Sequence, residues 1–141
     1  MSMRLTLLTA AVAGGLLAVQ TAPARADMMS ACAPEIGRYC ADVSQGRGRI
    51  AACLASRRDQ LGPACLSEVQ AVSQGRLIPS DARRLLTPGF SAALPATCDT
   101  AAAQLCPGIP PGDGRVFACL YARGNRVGGL CMAAAKAAVG G

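Results

Sequence analysis

The apolar positions of this chain begin with one long run near the N-terminus, and after it short apolar segments alternate with polar turns. The run, LTLLTAAVAGGLLAV, follows the basic stretch MSMR and precedes APARA, which has small residues at Ala24 and Ala26. A basic start, a short apolar stretch and an A-x-A frame are the parts of a secretory signal peptide. We therefore predict that residues 1–26 are a signal peptide that is cleaved after Ala26.

Two other roles of this segment are less well supported. A membrane-spanning helix needs roughly 20 apolar residues, whereas this run is shorter and contains Gly14 and Gly15. The stretch MSAC before Cys32 loosely resembles a lipid-attachment site, but QTAPARAD separates it from the apolar run. Cleavage is therefore favoured, and the mature chain is predicted to have no membrane span.

The segments after residue 26 predict helices. Ala, Leu, Arg and Gln are frequent around the cysteines, whereas the β-branched and aromatic residues that strands favour are scarce. In the first half we expect helices at about 30–40, 49–61 and 63–72. The first tolerates Pro34 because this residue lies in the opening turn, and the pair Gly62–Pro63 separates the other two. The fold class is therefore predicted to be all-α.

The nine residues GRGRIAACL at 46–54 and GDGRVFACL at 112–120 are part of an internal duplication. All eight cysteines lie after residue 26, and the spacing C-x7-C-x12-C-x11-C occurs twice, 66 residues apart. Glycines, an arginine and a leucine around them recur at the same interval. Two copies of one structural unit are therefore expected. The cysteines are Cys32, Cys40, Cys53, Cys65, Cys98, Cys106, Cys119 and Cys131.

An even number of cysteines in a small exported chain predicts disulfides, because the compartment oxidises thiols and a short chain buries little apolar surface. Four cysteines allow three pairings in each repeat. Antiparallel helices joined by a tight turn bring the inner two cysteines together, and the outer two then face each other. We favour this nested pairing, with the other two open. It joins Cys32 to Cys65, Cys40 to Cys53, Cys98 to Cys131 and Cys106 to Cys119.

The cysteine spacing, with GRGRIAACL before LGPAC and GDGRVFACL before VGGLC, resembles a known repeat. It is similar to the cysteine-rich repeat found in tandem in the Golgi apparatus, cysteine-rich fibroblast growth factor receptor family. The resemblance covers about residues 30–72 and 96–138. It implies a disulfide-bonded helical module outside the cytoplasm that binds proteins, and it implies no particular ligand.

The chain is thus predicted to divide into a signal peptide (1–26), a first repeat (27–72), a linker (73–97) and a second repeat (98–141). The linker contains three prolines and a short helix, DARRLL, for which Ser80 is the predicted N-cap. We expect the apolar residues of the linker to pack the two repeats together, and a docking surface for a partner is the alternative. These residues are Leu77, Ile78, Leu85, Leu86, Phe90 and Leu94.

Charge gives a weak indication of the partner. Without residues 1–26, twelve basic and eight acidic side chains leave a net charge of +4, which attracts anionic partners or belongs to an ordinary solvated surface. Arg49 and Arg115 lie beside the turn at the same position of each repeat, and they are candidate partner contacts. Local capping or pairing within each repeat is the other role open to them. The expected partner is an unidentified protein or an anionic component of the cell envelope.

Metal and enzyme chemistry have little support in the sequence. The chain has no histidine and no G-x-S-x-G motif, so we predict no catalytic residue. The cysteines are too far apart in sequence for a zinc site and lack C-x-x-C, so no metal site and no cofactor are expected. The alternative is a periplasmic protein that binds or stores Cu(I) on cysteine thiolates, with Met28, Met29 and Met132 nearby.

A chain that is exported, internally duplicated and without catalytic motifs is typical of a binding or structural protein. We predict a non-enzymatic binding or structural module that is located in the periplasm or secreted. The four aromatic residues are few for stacking on bases, and an exported protein rarely meets nucleic acid, so we predict no nucleic-acid partner.

Overall fold

The structure is a computed structural model, and it describes residues 27–75, 79–86 and 92–140. These residues form α-helices and short 3₁₀ turns and contain no β-strand, which confirms the all-α prediction. The predicted signal peptide, residues 1–26, lies outside the described residues. No helix within the described ranges is both long enough and apolar enough to cross a bilayer.

Each repeat contributes three helices that begin at equivalent positions, and the linker contributes one helix between them. The helices of the described residues are α1 (Met28–Ala31), α2 (Ala33–Tyr39), α3 (Arg49–Ser56), α4 (Pro63–Ser73), α5 (Ser80–Leu86), α6 (Asp99–Leu105), α7 (Arg115–Ala122) and α8 (Gly129–Gly140). In the second repeat a 3₁₀ turn at Ala96–Cys98 takes the place of α1.

The helix predicted at about 30–40 is in fact two short helices, α1 and α2. Asp27 caps α1, because its carboxylate accepts a hydrogen bond from Ser30 N at 2.9 Å. Pro34 has no N–H with which to bond the carbonyl of Ser30, so a continuous helix cannot pass this point. For this reason α1 ends before Cys32, and α2 begins directly after this residue.

The helix predicted at 49–61 ends earlier than expected, at Ser56. The hydroxyl of Ser56 donates a hydrogen bond to the carbonyl oxygen of Cys53 at 2.6 Å. A side chain that bonds back to the preceding turn competes with the helical backbone bonds. A 3₁₀ turn at Arg58–Gln60 then follows, and the predicted extension of the helix to Leu61 is wrong.

The duplicated nine residues form a glycine turn and the start of a helix in both repeats. Gly46 and Gly112 have φ of 93° and 94°, and Gly48 and Gly114 have φ of 73° and 66°. These values lie in the left-handed region, which glycine adopts without a steric cost. The turn therefore has the same backbone in both repeats, and it directs α3 and α7 in the same way.

The core of the molecule forms where α3 of the first repeat packs along α7 of the second. Leu54 and Leu120, which are equivalent residues, are at most 1% exposed. The remaining core positions of the two helices include several alanines, and small side chains allow a short distance between helix axes. Because residues of both repeats belong to one buried cluster, the repeats form one body. The buried alanines are Ala51, Ala52, Ala55, Ala118 and Ala122.

Helix α5 of the linker lies against both repeats, since it contacts α3 and α4 of the first and α7 and α8 of the second. Leu85 and Leu86 are 3% and 6% exposed, and Leu94 packs against both buried clusters, one of which contains residues of both repeats. These three apolar residues therefore pack the repeats together, as the sequence predicts. The other three apolar linker residues, Leu77, Ile78 and Phe90, lie outside the described residues.

The N-cap predicted for this linker helix is wrong by one residue. The first helical bond runs from Arg83 N to the carbonyl oxygen of Pro79 at 2.9 Å, so Ser80 lies in the first turn. Proline is tolerated as the residue before the helix because an N–H at this position would have no partner within the helix. The division of the chain at residues 72 and 97 stays a prediction.

Candidate binding surface

All eight cysteines are joined in buried disulfides, two within each repeat. The pairing is nested in both repeats, with matching Cα–Cα distances of 4.7 Å for the outer bonds and 6.0 Å for the inner bonds. No cysteine remains as a thiol, so the structure gives the Cu(I) alternative no support. The bonds are Cys32–Cys65, Cys40–Cys53, Cys98–Cys131 and Cys106–Cys119.

Arg49, one of the two arginines predicted to contact a partner, bonds to the turn of its own repeat. Its Nε donates to the carbonyl oxygen of Ser44 at 3.0 Å, and its Nη2 donates to that of Gln45 at 2.6 Å. These are neutral acceptors, and within the described residues no carboxylate pairs with Arg49. The side chain is thus held in place while its charge is not neutralised.

Arg115, the equivalent residue of the second repeat, has different surroundings. It pairs with Asp59 of the first repeat: Nη1 contacts Oδ2, and Nη2 lies 3.2 Å from Oδ1. Asp113 lies 3.7 Å away on the other side. The side chain is 14% exposed, so Arg115 belongs to the contact between the repeats. The two candidate residues therefore do not form equivalent sites.

Asp42 of the first repeat neutralises two arginines of the second. Arg123, which is 8% exposed, donates to its carboxylate from Nε at 3.3 Å and from Nη2 at 3.2 Å, and Arg126 contacts the same group. Burial raises the pKa of Asp42, but the charges and hydrogen bonds of Arg123 and Arg126 outweigh it and hold the pKa below its ordinary value. The carboxylate is therefore ionised at neutral pH and links the repeats.

These ion pairs distribute charge unequally between the repeats. The two acidic residues that cross the contact, Asp42 and Asp59, both come from the first repeat. Their equivalents 66 residues later are Gly108 and Asn125, so the second repeat returns no carboxylate. As far as the chain is described, the arginines of the first repeat make no ion pair. They are Arg38, Arg47, Arg49, Arg57 and Arg58.

Two of these unpaired arginines lie over one tyrosine. The guanidinium carbons of Arg38 and Arg57 each lie 5.3 Å from the ring centroid of Tyr39, which is within the range of a cation–π interaction. Arg38 is exposed, and the other two residues are half-buried. We refer to Arg38, Tyr39 and Arg57 as the Arg–Tyr–Arg cluster. It presents two positive charges that no carboxylate of the described residues offsets.

The Arg–Tyr–Arg cluster cannot be recognised from the positions at which the repeats agree, because only Arg57 is among them. The second repeat has Gln104 and Leu105 in place of Arg38 and Tyr39. Arg123, which corresponds to Arg57, bonds to Asp42 instead. The positions at which the repeats differ indicate the cluster, because an arginine and an aromatic residue, Arg38 and Tyr39, are adjacent in the first repeat alone.

A groove lies beside the glycine turn of each repeat. The groove of the first repeat is lined by residues of α1, by Val72 and by Arg49. That of the second is lined by the segment 92–94, by Arg115 and by Phe117. Met29, which is 41% exposed, adds apolar surface to the first groove. The first repeat thus combines an apolar groove with arginines whose charges are not neutralised.

The acidic and cysteine side chains of the described residues form no candidate metal site. These residues contain no group of three or more Cys, Asp or Glu side chains that could hold a metal ion. The carboxylates of Asp42 and Asp59 are engaged by arginines, and that of Glu35 accepts a hydrogen bond from Gly62 N at 3.0 Å. These contacts connect parts of the fold to one another.

Comparison with protein families identifies the first repeat. The family model described as cysteine rich repeat matches residues 25–62, which contain the first three cysteines and the glycine turn. This match confirms, for the first repeat, the resemblance indicated by the cysteine spacing. Searches of curated proteins and of solved structures gave no match. The repeat and the four disulfides fit an exported protein, because disulfides persist in oxidising compartments.

Proposed function

We propose that this chain, which carries the cysteine rich repeat, is an exported, non-enzymatic binding module that holds an anionic component of the cell envelope on its first repeat. The observation that carries the proposal is the unequal use of charge. In the described residues the five arginines of the first repeat make no ion pair, whereas the three of the second repeat all do. Uncompensated cations on one part of a surface attract anionic partners and steer their approach.

The rigid frame supports a role in binding. Both repeats contribute to one core, and the two disulfides of each repeat fix its helices. A binding surface that is ordered before its ligand arrives loses less conformational entropy on association. The arginines of the first repeat are carried by α2, by the glycine turn and by the end of α3. They therefore belong to one stapled hairpin, which suits an extended partner with several negative charges.

The test compares the binding of the purified exported protein and two charge variants to poly-L-glutamate and to dextran sulfate. The test variant replaces Arg38, Arg47 and Arg57 with glutamine. The control makes the same change of three charges outside the first repeat, through Arg76→Gln and Lys136→Glu. At physiological salt we expect the test variant to lose at least about tenfold in affinity and the control less than about threefold, because charge acts mainly within a Debye length of about 8 Å.

Two outcomes would overturn the proposal. One is that neither polyanion binds to the unaltered protein at physiological salt. The other is an equal loss of affinity in both variants, which would mean that net charge alone attracts the polyanions. Circular dichroism of each variant, recorded beforehand, ensures that the comparison concerns folded protein. Binding to an acidic protein with no binding to either polymer would assign the module to a protein partner instead.

A further inference from the structure

The Arg–Tyr–Arg cluster gathers two cations around one ring. Arg38 and Arg57 each have their guanidinium carbon 5.3 Å from the centroid of Tyr39. The two carbons are therefore at most twice 5.3 Å apart, so both charges act on an anion that lies beside the ring. Like charges repel at this separation, and in the described residues no carboxylate offsets either of them. A bound anion would therefore stabilise the cluster.

The ring prepares both arginines for such a ligand. A guanidinium that lies over an aromatic ring uses its planar face for the contact, so its N–H groups, which point outward in the plane, stay available. Holding a long side chain in place before binding reduces the entropy lost on association. The hydroxyl of Tyr39 adds a further donor on the same ring.

We infer that the Arg–Tyr–Arg cluster binds a phosphomonoester group. The inference rests on the proposed function and names the chemistry of the anion at one part of the surface. A phosphomonoester carries between −1.5 and −2 charges at neutral pH and three strong acceptor oxygens, which matches two guanidinium groups. A carboxylate has one charge and two oxygens, so it leaves one guanidinium uncompensated. Arginine also bonds phosphate oxygens in pairs, with favourable geometry.

The second repeat provides an internal contrast for this site. Its residues at the corresponding positions are Gln104, Leu105 and Arg123, and the guanidinium of Arg123 bonds to Asp42. Neither the ring nor two free charges are present there. One phosphomonoester site per chain is therefore expected, and it belongs to the first repeat.

The experiment titrates the exported protein with inorganic phosphate at pH 7.5 and constant ionic strength, and follows the arginine Nε–H resonances by NMR. We expect saturable shifts of the resonances of Arg38 and Arg57, assigned through Arg38→Gln and Arg57→Gln, and no saturable shift with acetate. The variant Arg38→Gln/Arg57→Gln should bind phosphate at least tenfold more weakly. The control Arg76→Gln/Lys136→Gln, which makes the same change in charge outside the first repeat, should bind within twofold of the unaltered protein.

Conservative variants keep the inference testable if the double variant does not fold. Arg57→Lys keeps the charge and loses the paired N–H donors, so it should weaken phosphate binding several-fold. Tyr39→Leu copies the second repeat and should weaken it as well, because the arginines are no longer held. If both variants bind phosphate as well as the unaltered protein does, the cluster is not the site.

The failures of the two proposals can be told apart. If acetate shifts the same resonances as strongly as phosphate, or if every exposed arginine responds to phosphate as strongly as Arg38 and Arg57 do, the phosphomonoester inference is wrong while polyanion binding stands. If neither polyanions nor phosphate bind, both proposals fail. Two further arms identify the source of the group. Stronger retention on vesicles with phosphatidic acid than on vesicles with phosphatidylglycerol supports a lipid headgroup, and saturable binding of glucose 6-phosphate without such retention supports a soluble ligand.

Discussion

The two repeats have the same glycine turn and the same nested disulfides, but they use their charges in opposite ways. Acidic side chains of the first repeat, Asp42 and Asp59, reach across the contact between the repeats and neutralise arginines of the second. The second repeat has Gly108 and Asn125 at these positions and returns no carboxylate. Cysteines and glycines therefore set the fold of each copy, while the positions that differ decide which copy is tied to its partner repeat and which stays open to a ligand.

The glycine turns show the same difference within a few residues. Arg47 and Asp113 are equivalent, and both adopt a left-handed backbone with φ of 52° and 50°. Asp113 lies 3.7 Å from Arg115 and contributes to its neutralisation. Arg47 instead adds a second cation to the turn that contains Arg49. One side chain at a fixed backbone position thus reverses the local charge without changing the fold.

The largest effect is expected from removing the outer disulfide of either repeat. Both outer bonds join residues separated by 33 positions, and closing a loop of that length stabilises a protein by about 4 kcal/mol in the chain-entropy model. The variants Cys32→Ser/Cys65→Ser and Cys98→Ser/Cys131→Ser should lose similar amounts of stability. Because α3 and α7 share one core, each variant should unfold in a single transition, as measured by urea denaturation followed by circular dichroism.

Two separate transitions in either variant would contradict a shared core. Peptide mapping then provides the control, since the three remaining disulfides of each variant should keep their pairing. A stable repeat next to an unfolded one would show that the contact between α3 and α7 adds little to stability. The two repeats would then be independent folding units.

The next effect tests the unequal ion pairs. Asp42→Ala leaves the guanidinium of Arg123, which is 8% exposed, without its carboxylate, and an uncompensated buried group costs about 2 kcal/mol. Asp59→Ala should cost less than about 1 kcal/mol, as for other exposed pairs, because Arg115 keeps Asp113. The two losses are measured as free energies of unfolding by urea denaturation at pH 7. Equal losses would mean that the burial of Arg123 does not matter.

The disulfide frame could be predicted because its causes are local in sequence. Regular cysteine spacing and a turn with Gly46 and Gly48 are sufficient to bring Cys40 and Cys53 together. The break before Pro34 was also a local effect, and the missing N–H of proline accounts for it. The helix break and the nested disulfide pairing thus follow from the positions of a few cysteines, glycines and prolines.

The ion pairs between the repeats could not be predicted in this way. Asp42 and Arg123 are separated by 81 positions, and they meet only because α3 and α7 pack together at one particular angle. No local pattern fixes that angle. The Arg–Tyr–Arg cluster depends on it as well, since Arg57 lines one small cavity with Gly108, and this glycine takes the place of Asp42 in the second repeat. The candidate site is therefore a consequence of tertiary contacts.

The dependence of stability on pH tests the ion pairs that Asp42 makes with the second repeat. The pKa of Asp42 in the folded protein lies below its ordinary value of 3.8. Its contribution is therefore fully present above the unfolded-state value and is lost as the pH falls through the folded-state value. The difference in unfolding free energy between the unaltered protein and Asp42→Asn should stay constant from pH 7 to 5 and shrink below pH 4. A constant difference down to pH 2 would contradict this account.

The smallest effect concerns the two glycines before α4 and α8. Glu35 Oε1 accepts a hydrogen bond from Gly62 N at 3.0 Å, and a Cβ added at Gly62 would lie 3.2 Å from the same oxygen. The second repeat has Ala101 in place of Glu35, and a Cβ at Gly128 would meet nothing within 4 Å. Neither glycine has a positive φ, so alanine fits the backbone of both.

Replacing glycine with alanine stabilises such positions by roughly 0.4–1 kcal/mol, because the unfolded chain loses conformational freedom. Gly128→Ala should show this gain in urea denaturation. Gly62→Ala should show little or none, because its Cβ displaces the carboxylate of Glu35 from the bond to the start of α4. In a Glu35→Ala background the crowding is absent, so Gly62→Ala should recover the gain seen at Gly128. If Gly62→Ala stabilises the protein equally with and without Glu35, the carboxylate is not what distinguishes the two helix starts.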